Sequence, residues 1–466
     1  MKPTLADLAR RLNAPLSGAD AGFSRVISDT RQLQPGDLFV ALVGERFDGH
    51  DYLDEARQRG AVGALVSRAI DVALPQVLVG DTLAGLQDYA RSWRGDYAHP
   101  VVAVTGSNGK TTTKQLLAAV LAARGPVLAT EGNLNNHIGV PLTLARLRDD
   151  YATAVIEMGA NHLHEIEALA AIAQPQIGIV TQAGDAHLEG FGSRDGVARG
   201  KGELFAAIAR QPQGIAIINA DDVYAPLWSA LAGGAQQIRF GLSAAADVSA
   251  DEIQSYAIDD GRNGMRFTLS LPNGEAEVSL PLPGRHNVLN ALAAAAAGYA
   301  LGLSADVIAA GLAQVQAPSG RVAWKRIAPN ARLIDDSYNA NPTSLAAGLQ
   351  LLAALPGERW AVLGGMAELG ATAESLHVEA GRSARALGLD RLYVTGAMSP
   401  HYAAGFGEGT RVFATHAELI AALRADIAAC ASPLTLLVKG SRSARMELVV
   451  HGVVQAPQDG VDGGVH

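Results

Sequence analysis

The sequence predicts an α/β protein of three domains, two of them built on doubly wound, mostly parallel sheets. Three observations carry this. The chain has 466 residues, 48% hydrophobic and 18% charged, enough for about three domains with cores of their own. Between 101 and 218 the apolar runs VVAV, TAVI, IGIV and IAII recur with helix-length segments between them; strands apolar on both faces belong to a parallel sheet covered on both sides. A second series of such runs follows residue 319.

Residues 1–97 open with MKPTLADLARRL, which reads as a short amphipathic helix, since Asp7 and two arginines break any secretory apolar region. Strand candidates follow at Leu38–Leu42, Val62–Val66 and Gln76–Val79, with a helical pattern at Tyr52–Arg59. Asp96–Pro100 reads as a connector, because Pro100 disfavours helix in the residue before it. The second unit, 98–318, holds the four apolar runs, each ending at Gly, Glu, Thr or Asn. Its alternation breaks at 240–283, where polar and apolar residues alternate around the turn signals DDGRNG and PNGE, so an antiparallel insert is expected there. GRHNVLNALAAAAAG (284–298) resumes as helix. The third unit, 319–466, has strand candidates ARLI, WAVLG, RLYVTG, RVFA and LTLLVKG with helical partners; its tail from about 456 reads as disordered. No internal repeat is evident.

Composition narrows the function. A net charge of −9 argues against nucleic-acid binding, whose footprint is a basic face. One cysteine, Cys430, excludes an internal disulfide framework and a cysteine zinc site and fits a reducing compartment. The apolar stretch 291–303 is too short to cross a bilayer. A cytoplasmic, non-membrane protein is expected.

The chemistry is concentrated first in VVAVTGSNGKTTTK (101–114). A buried-type strand runs into a turn bracketed by Gly106 and Gly109, and TTTKQLLAAVLAARG continues as a helix closed by Gly125, with Leu116, Leu117, Val120 and Leu121 on one face. Backbone N–H groups of such a loop converge on phosphate oxygens, Lys110 reaches the terminal phosphates, and the Thr111 hydroxyl suits Mg²⁺. The usual pattern has a glycine where this chain has Val104; the loop is a shorter variant. A plain tight turn before a helix is the alternative.

The G-S-N-G-K-T variant resembles the ATP loop of the Mur ligase superfamily. Asp29-Thr30-Arg31, residues 35–53, EGNLNNHIGVPLTL, IEMGANHLHEI, AHLEGFGS, GKGELF, GRHNVLNALAAAA, DDSYNANPTSL and VKGSRSARME resemble its blocks in its order over nearly the whole chain. The resemblance implies an N-terminal UDP-substrate domain, a central ATPase domain and a C-terminal Rossmann-like domain. It implies an ATP-dependent amide ligase that activates a carboxylate as an acyl phosphate for attack by an amine, in peptidoglycan precursor synthesis. SYNANP and NNHIGVP point to the F-type branch, which implies UDP-N-acetylmuramoyl-tripeptide and D-alanyl-D-alanine as substrates and a monomer.

The same resemblance implies the site residues. Gly106, Ser107, Asn108, Gly109, Lys110, Thr111 and Thr112 would bind ATP, with Asn287 beside the adenine, Arg321 on phosphate and Asp336 on the ribose. Lys110, Glu157, His187 and Lys201 would be catalytic. Thr111, Glu157, His187 and Lys201, the last as a CO₂-derived carbamate, would hold Mg²⁺, two ions being expected. Ser28, Asp29 and Arg31 would contact the UDP-sugar, an arginine fork suiting a diphosphate. Asn133, Asn135, Asn136 and His137 would line the peptide, with Asn339, Asn341, Lys439 and Arg442 facing the same cleft. Taken singly, each has a plainer reading: Glu157 a solvated acid at a strand end, His187 a loop histidine, Lys201 an exposed helix-start lysine, Asn287 a helix N-cap, Arg321 a surface arginine, and Asp336 one of two adjacent loop acids. If Arg321 and Asp336 reach nucleotide, the C-terminal domain must close onto the central one.

No D-N-P-R occurs, which separates the chain from the E-type ligases that add the third amino acid. Folylpolyglutamate synthase lacks the block matched by 28–53. A generic phosphate-loop ATPase or a non-catalytic paralogue is the alternative of another class, although Lys110, Glu157 and Lys201 all stand. The chain departs from the F-type block L-G-D-M-x-E-L-G at Gly365, in LGGMAELG, where aspartate is usual. No role is assigned to 365; Glu368 and His377 remain nearby without one.

Overall fold

A computed structural model describes residues 3–243, 245–258, 263–316 and 320–454; the expected disordered tail and the junction at 318–319 lie outside the described residues. Three sheets organise the chain. The first has five strands, of which Val26–Ile27, Leu38–Val40, Gly63–Val66 and Gln76–Leu78 run parallel and Leu16–Ser17 pairs antiparallel at the edge. The opening helix is Leu5–Leu12, capped by the Thr4 side chain, and the expected helix near 52–59 is Leu53–Gln58 behind a single 3₁₀ turn.

The helix Thr82–Gly95 joins this unit to the next. Asp81 accepts from the Ala84 N–H and caps it. Trp93 donates its indole N–H to the Leu147 carbonyl, and the buried Arg94 guanidinium donates to the carbonyls of Ala173 and Gln174 at the end of helix Glu165–Ala173. A cation there suits a helix C-terminus. One continuous core therefore runs from Leu5 through Tyr89 and Trp93 to Trp228.

The central sheet has six parallel strands, spatially ordered Gln236–Phe240, Ile215–Asn219, Ile177–Val180, Val101–Thr105, Thr153–Glu157, Val127–Ala129. The four apolar runs are its interior strands, fully buried but for one residue. The antiparallel insert is a three-stranded sheet, Ser249–Ala257, Asn263–Leu271 and Gly274–Leu280. It starts later than expected, because Phe240 closes a parallel edge strand. The helix Arg285–Ala300 buries Ala291 and Ala293–Ala297 completely. Gly298 and, on helix Ala305–Ala313, Gly311 sit so close to the helix Lys110–Leu121 that an added Cβ would stand 2.9 Å and 2.7 Å from Val120 atoms.

The third sheet is ordered Ala323–Ala328, Ala331–Asp336, Leu434–Lys439, Glu358–Leu363, Arg391–Thr395, Thr410–Phe413; all neighbours are parallel except the first pair. Helices cover both faces, with separate cores around Leu363 and Trp360. The three-domain α/β architecture is thus the one the patterning predicts.

Candidate active site

The carboxyl ends of Val101–Thr105, Thr153–Glu157 and Ile177–Val180 meet where a doubly wound sheet binds ligands. A cleft of about 550 Å³ opens there, walled by the central and C-terminal domains. Its floor is the phosphate loop. Gly106 has φ +143° and Gly109 φ +81°. A Cβ at Gly106 would lie 1.9 Å from Thr181 Oγ1, and one at Gly109 2.3 Å from Asn290 Oδ1. Glycine is therefore required at both by conformation and by space. Ser107 Oγ donates to the Gly184 carbonyl and accepts from the Gly184 N–H, and Thr181 Oγ1 donates to the Asn108 carbonyl at 2.6 Å. The loop is fixed before any ligand arrives, and the Asn108 Nδ2 donor is buried without a partner among the described residues.

Lys110 begins the loop helix and donates to the Gly106 carbonyl at 2.6 Å. Burial pulls its pKa down to about 8, against the field of Glu157 and with that of Arg321. Ser107, Asn108, Gly109, Lys110 and Thr112 line the cleft; Thr111 does not.

Glu157 ends its strand 2% exposed, so the solvated-acid reading fails. Asn135 Nδ2 donates to its Oε1 at 2.8 Å, while Oε2 is buried and accepts no hydrogen bond among the described residues. Lys114, one turn beyond Lys110 and also buried, places Nζ 3.3 Å from Oε2. Burial pushes the Glu157 carboxyl up; Lys114, Lys110, the Asn135 bond and Arg321 outweigh it and leave the pKa below the ordinary range.

His187 lines the cleft on a left-handed turn, φ +56°. Its Nδ1 hydrogen-bonds the carboxylate of Glu368 from the C-terminal domain. Burial lowers the imidazole pKa, as does Lys110, with Glu368 opposing. Lys201 is completely buried in the interior of helix Arg194–Ile208, so it is not an exposed helix-start residue. Its Nζ donates to the carbonyl of Ala160, which lines the cleft, and lies 4.9 Å from the Phe191 ring centroid. Burial holds this amine well below the usual lysine range.

Asn287 lines the cleft and is not the helix N-cap, which is Gly284. Its amide joins a chain: Asn287 Nδ2 donates to Pro283 O, Asn290 Nδ2 to Asn287 Oδ1, and Thr113 Oγ1 to Asn290 Oδ1. Arg321 stacks 4.2 Å over Tyr338 at the cleft wall. Asp336 faces the cleft and pairs with Lys439, whereas Asp335 turns away to accept from Ser337 Oγ. Alternation along the strand separates the two acids.

Asn133, Asn135, Asn136, His137, Asn339 and Asn341 also reach the cleft. Several have local duties: Asn135 holds Glu157, Asn136 Oδ1 accepts from the Gly139 N–H, and Asn341 forms a capping box on helix Pro342–Ala353. Asn341 Nδ2 also donates to Asn108 Oδ1 at 2.8 Å, so the C-terminal domain touches the phosphate loop itself. Arg442 is largely exposed and stands 3.4 Å from Glu447. Ser28, Asp29 and Arg31 lie away from this cleft; Arg31 is exposed and its fork is engaged by Asp29, whose side chain also caps the turn Thr30–Gln32.

Sequence reasoning assigned nothing to Lys114, Asn290 or Glu368. Lys114 and Asn290 sit inside motifs already singled out, and their spacing of one helical turn from Lys110 and from Asn287's neighbour His286 was the available signal.

A Mur ligase middle domain matches residues 104–298, a Mur ligase glutamate ligase domain 320–442, and a Mur ligase catalytic domain 23–127. The chain is 46% identical to the UDP-N-acetylmuramoyl-tripeptide--D-alanyl-D-alanine ligase of Escherichia coli (strain K12), over 97% of this chain and 98% of that protein. It belongs to the Mur ligase family. Among solved structures, MurF from Acinetobacter baumannii is similar with TM-score 0.91 and 36% identity, covering 98% of this chain and 99% of that one. MurF ligase from Thermotoga maritima, in complex with ADP, is similar with TM-score 0.79 and 27% identity, covering 92% and 97%.

Proposed function

We propose that this chain is an ATP-dependent peptide ligase that adds D-alanyl-D-alanine to UDP-N-acetylmuramoyl-tripeptide, releasing ADP and phosphate. The 46% identity to a ligase of that name over nearly the full length supports the reading. The single structural observation that carries it is the cleft: the phosphate loop, the buried Glu157, His187, Arg321 and Asp336 converge there from two domains. In this reading 1–97 receives the UDP moiety through Ser28, Asp29 and Arg31, 98–318 holds ATP, and 319–466 presents the amine. The enzyme acts as a cytoplasmic monomer; among the described residues no helix is long and apolar enough to cross a membrane.

The donor set fits a hard cation. Among the described residues Glu157 Oε2 is buried and accepts no hydrogen bond, with Lys114 Nζ 3.3 Å away, and engagement of Nδ1 leaves His187 Nε2 as the lone-pair nitrogen. Glu157 and His187, which line the cleft, would hold Mg²⁺, with Lys201 as carbamate a further expected donor, whereas Thr111, expected from the motif, is not among the lining residues; the ion when bound supplies the charge neutralisation a carboxylate needs to approach a triphosphate. The depressed, buried Lys201 amine suits carbamate formation: its neutral nitrogen bonds CO₂ and releases one proton. Lys110 and the loop N–H groups hold the phosphates in line, and Arg321 adds positive charge where the transferred phosphoryl group passes.

The test is phosphate release from ATP with UDP-muramoyl-tripeptide, with and without D-alanyl-D-alanine. Ligated product and phosphate should appear only with both; release driven by a diamino acid and a dipeptide precursor would replace this reading with the E-type one. Lys201→Ala should nearly abolish ligation, with recovery by short carboxylic acids; full activity without them would overturn the carbamate assignment.

A further inference from the structure

The loop Gly364–Gly370 of the C-terminal domain reaches the central domain at one place. Glu368 has φ +61°, a conformation rare for a residue with a side chain, and faces His187, which is also left-handed. Its carbonyl accepts from the Glu189 N–H at 3.2 Å and its carboxylate takes His187 Nδ1. The loop behind it is braced. The buried His377 accepts from the Met366 N–H at 2.9 Å through Nε2, Tyr402 donates to the Gly364 carbonyl, and the Ser441 N–H donates to the Gly365 carbonyl. His377 thus props the loop, and Glu368 is its outward tip, about half exposed. A carboxylate can only accept, so the Nδ1 proton resides on His187 and Nε2 carries the free pair.

We propose that Glu368 is a positioning residue supplied by the C-terminal domain: it fixes the tautomer and orientation of His187, so that the cation site of the central domain is complete only while the C-terminal domain is docked. This rests on the reading of His187 as a cation ligand. A carboxylate orienting a ligand histidine is a general device, and its loss costs roughly 10- to 100-fold in metal affinity.

The experiment uses the full chain with ¹⁵N-labelled histidine and, separately, Mn²⁺ titrated in the presence of a non-hydrolysable ATP analogue. In the metal-free protein the His187 proton should sit on Nδ1, lose that preference in Glu368→Ala and keep it in Glu368→Gln, whose amide oxygen still accepts. Glu368→Ala should weaken the His187-dependent Mn²⁺ site about 10- to 100-fold, and adding it to His187→Ala should cost nothing further. An unchanged tautomer in Glu368→Ala, wild-type Mn²⁺ affinity in that variant, or additive losses in the double variant would overturn the proposal. Wild-type Mn²⁺ binding by His187→Ala would remove the underlying ligand reading, and the proposal with it.

Discussion

Lys114→Met tests the charge balance of the site, because it keeps the bulk of the side chain and removes only its cation. Both Lys114 and Glu157 are buried, and Nζ to Oε2 is 3.3 Å. At an effective dielectric constant of about 20, two unit charges at that distance attract by roughly 5 kcal/mol. Desolvation cancels much of this in the intact pair, but removing one partner strands the other, which costs about 3–5 kcal/mol. The Asn135 bond and Lys110 remain for Glu157, so the lower half of that range is expected. For a unit of some 200 residues this is a fall of roughly 6–16 °C in the unfolding transition of the central domain. The pH dependence should also weaken. With its carboxyl held below the ordinary range, Glu157 in the wild type contributes stability fully present above about pH 4.3 and lost as pH falls through the lower folded value. In Lys114→Met the burial effect, the largest single influence, is less opposed and the folded pKa moves up, so the loss of stability on acidification is smaller than in the wild type. Calorimetry at pH 7.5 and near pH 4 reads both effects, and Glu157→Gln in the same background should restore most of the loss at pH 7.5. A variant within about 1 kcal/mol of wild type at pH 7.5, or a loss unchanged by Glu157→Gln, would refute the reasoning.

Gly109→Ala should fold poorly around the loop and raise the KM for ATP at least tenfold, since its left-handed φ and the 2.3 Å approach to Asn290 Oδ1 both oppose a Cβ; an unchanged KM would count against the close packing described. Gly365→Ala should instead stabilise the C-terminal domain by about 0.4–1 kcal/mol, because its backbone is not left-handed and the added carbon meets only ordinary contacts, Met398 Cγ at 3.6 Å being the nearest; a lower Tm would contradict this. The alkaline limb of kcat/KM for ATP should break near the free-enzyme Lys110 pKa of about 8, activity falling as the ammonium is lost. Lys110→Arg, charged throughout, should lack that break.

The sequence made the interior of each sheet legible and its margins less so. VVAV, TAVI, IGIV and IAII are apolar on both faces because helices cover both, and they were readable for that reason. Val127–Ala129, Gln236–Phe240 and Ala323–Ala328 are edge strands, paired on one side only, and the last carries Lys325 and Arg326 in a half-exposed setting that masks strand periodicity. In the site, the loop, Glu157 and His187 were legible because motifs fix them. Glu368 was not, because its partner is 181 positions away and only the docking of two domains joins them. Lys114 was overlooked because a lysine on a helix ordinarily faces solvent; here it is buried with its Nζ 3.3 Å from the buried carboxylate of Glu157.

The alanine-rich helix Arg285–Ala300 has a consequence for how this protein can vary. Its side chains are small where it backs the phosphate-loop helix, and Gly298 and Gly311 bring neighbouring segments within 3 Å of Val120 for any added carbon. Growth by even one methyl group there would thrust the loop helix forward and shift the lysine it carries. Neutral drift should therefore be confined to glycine at 298 and 311, and to glycine, alanine and serine at the buried alanines of the helix, a one-way ratchet on side-chain size. An inhibitor seated on the loop would face a back wall with few routes to resistance.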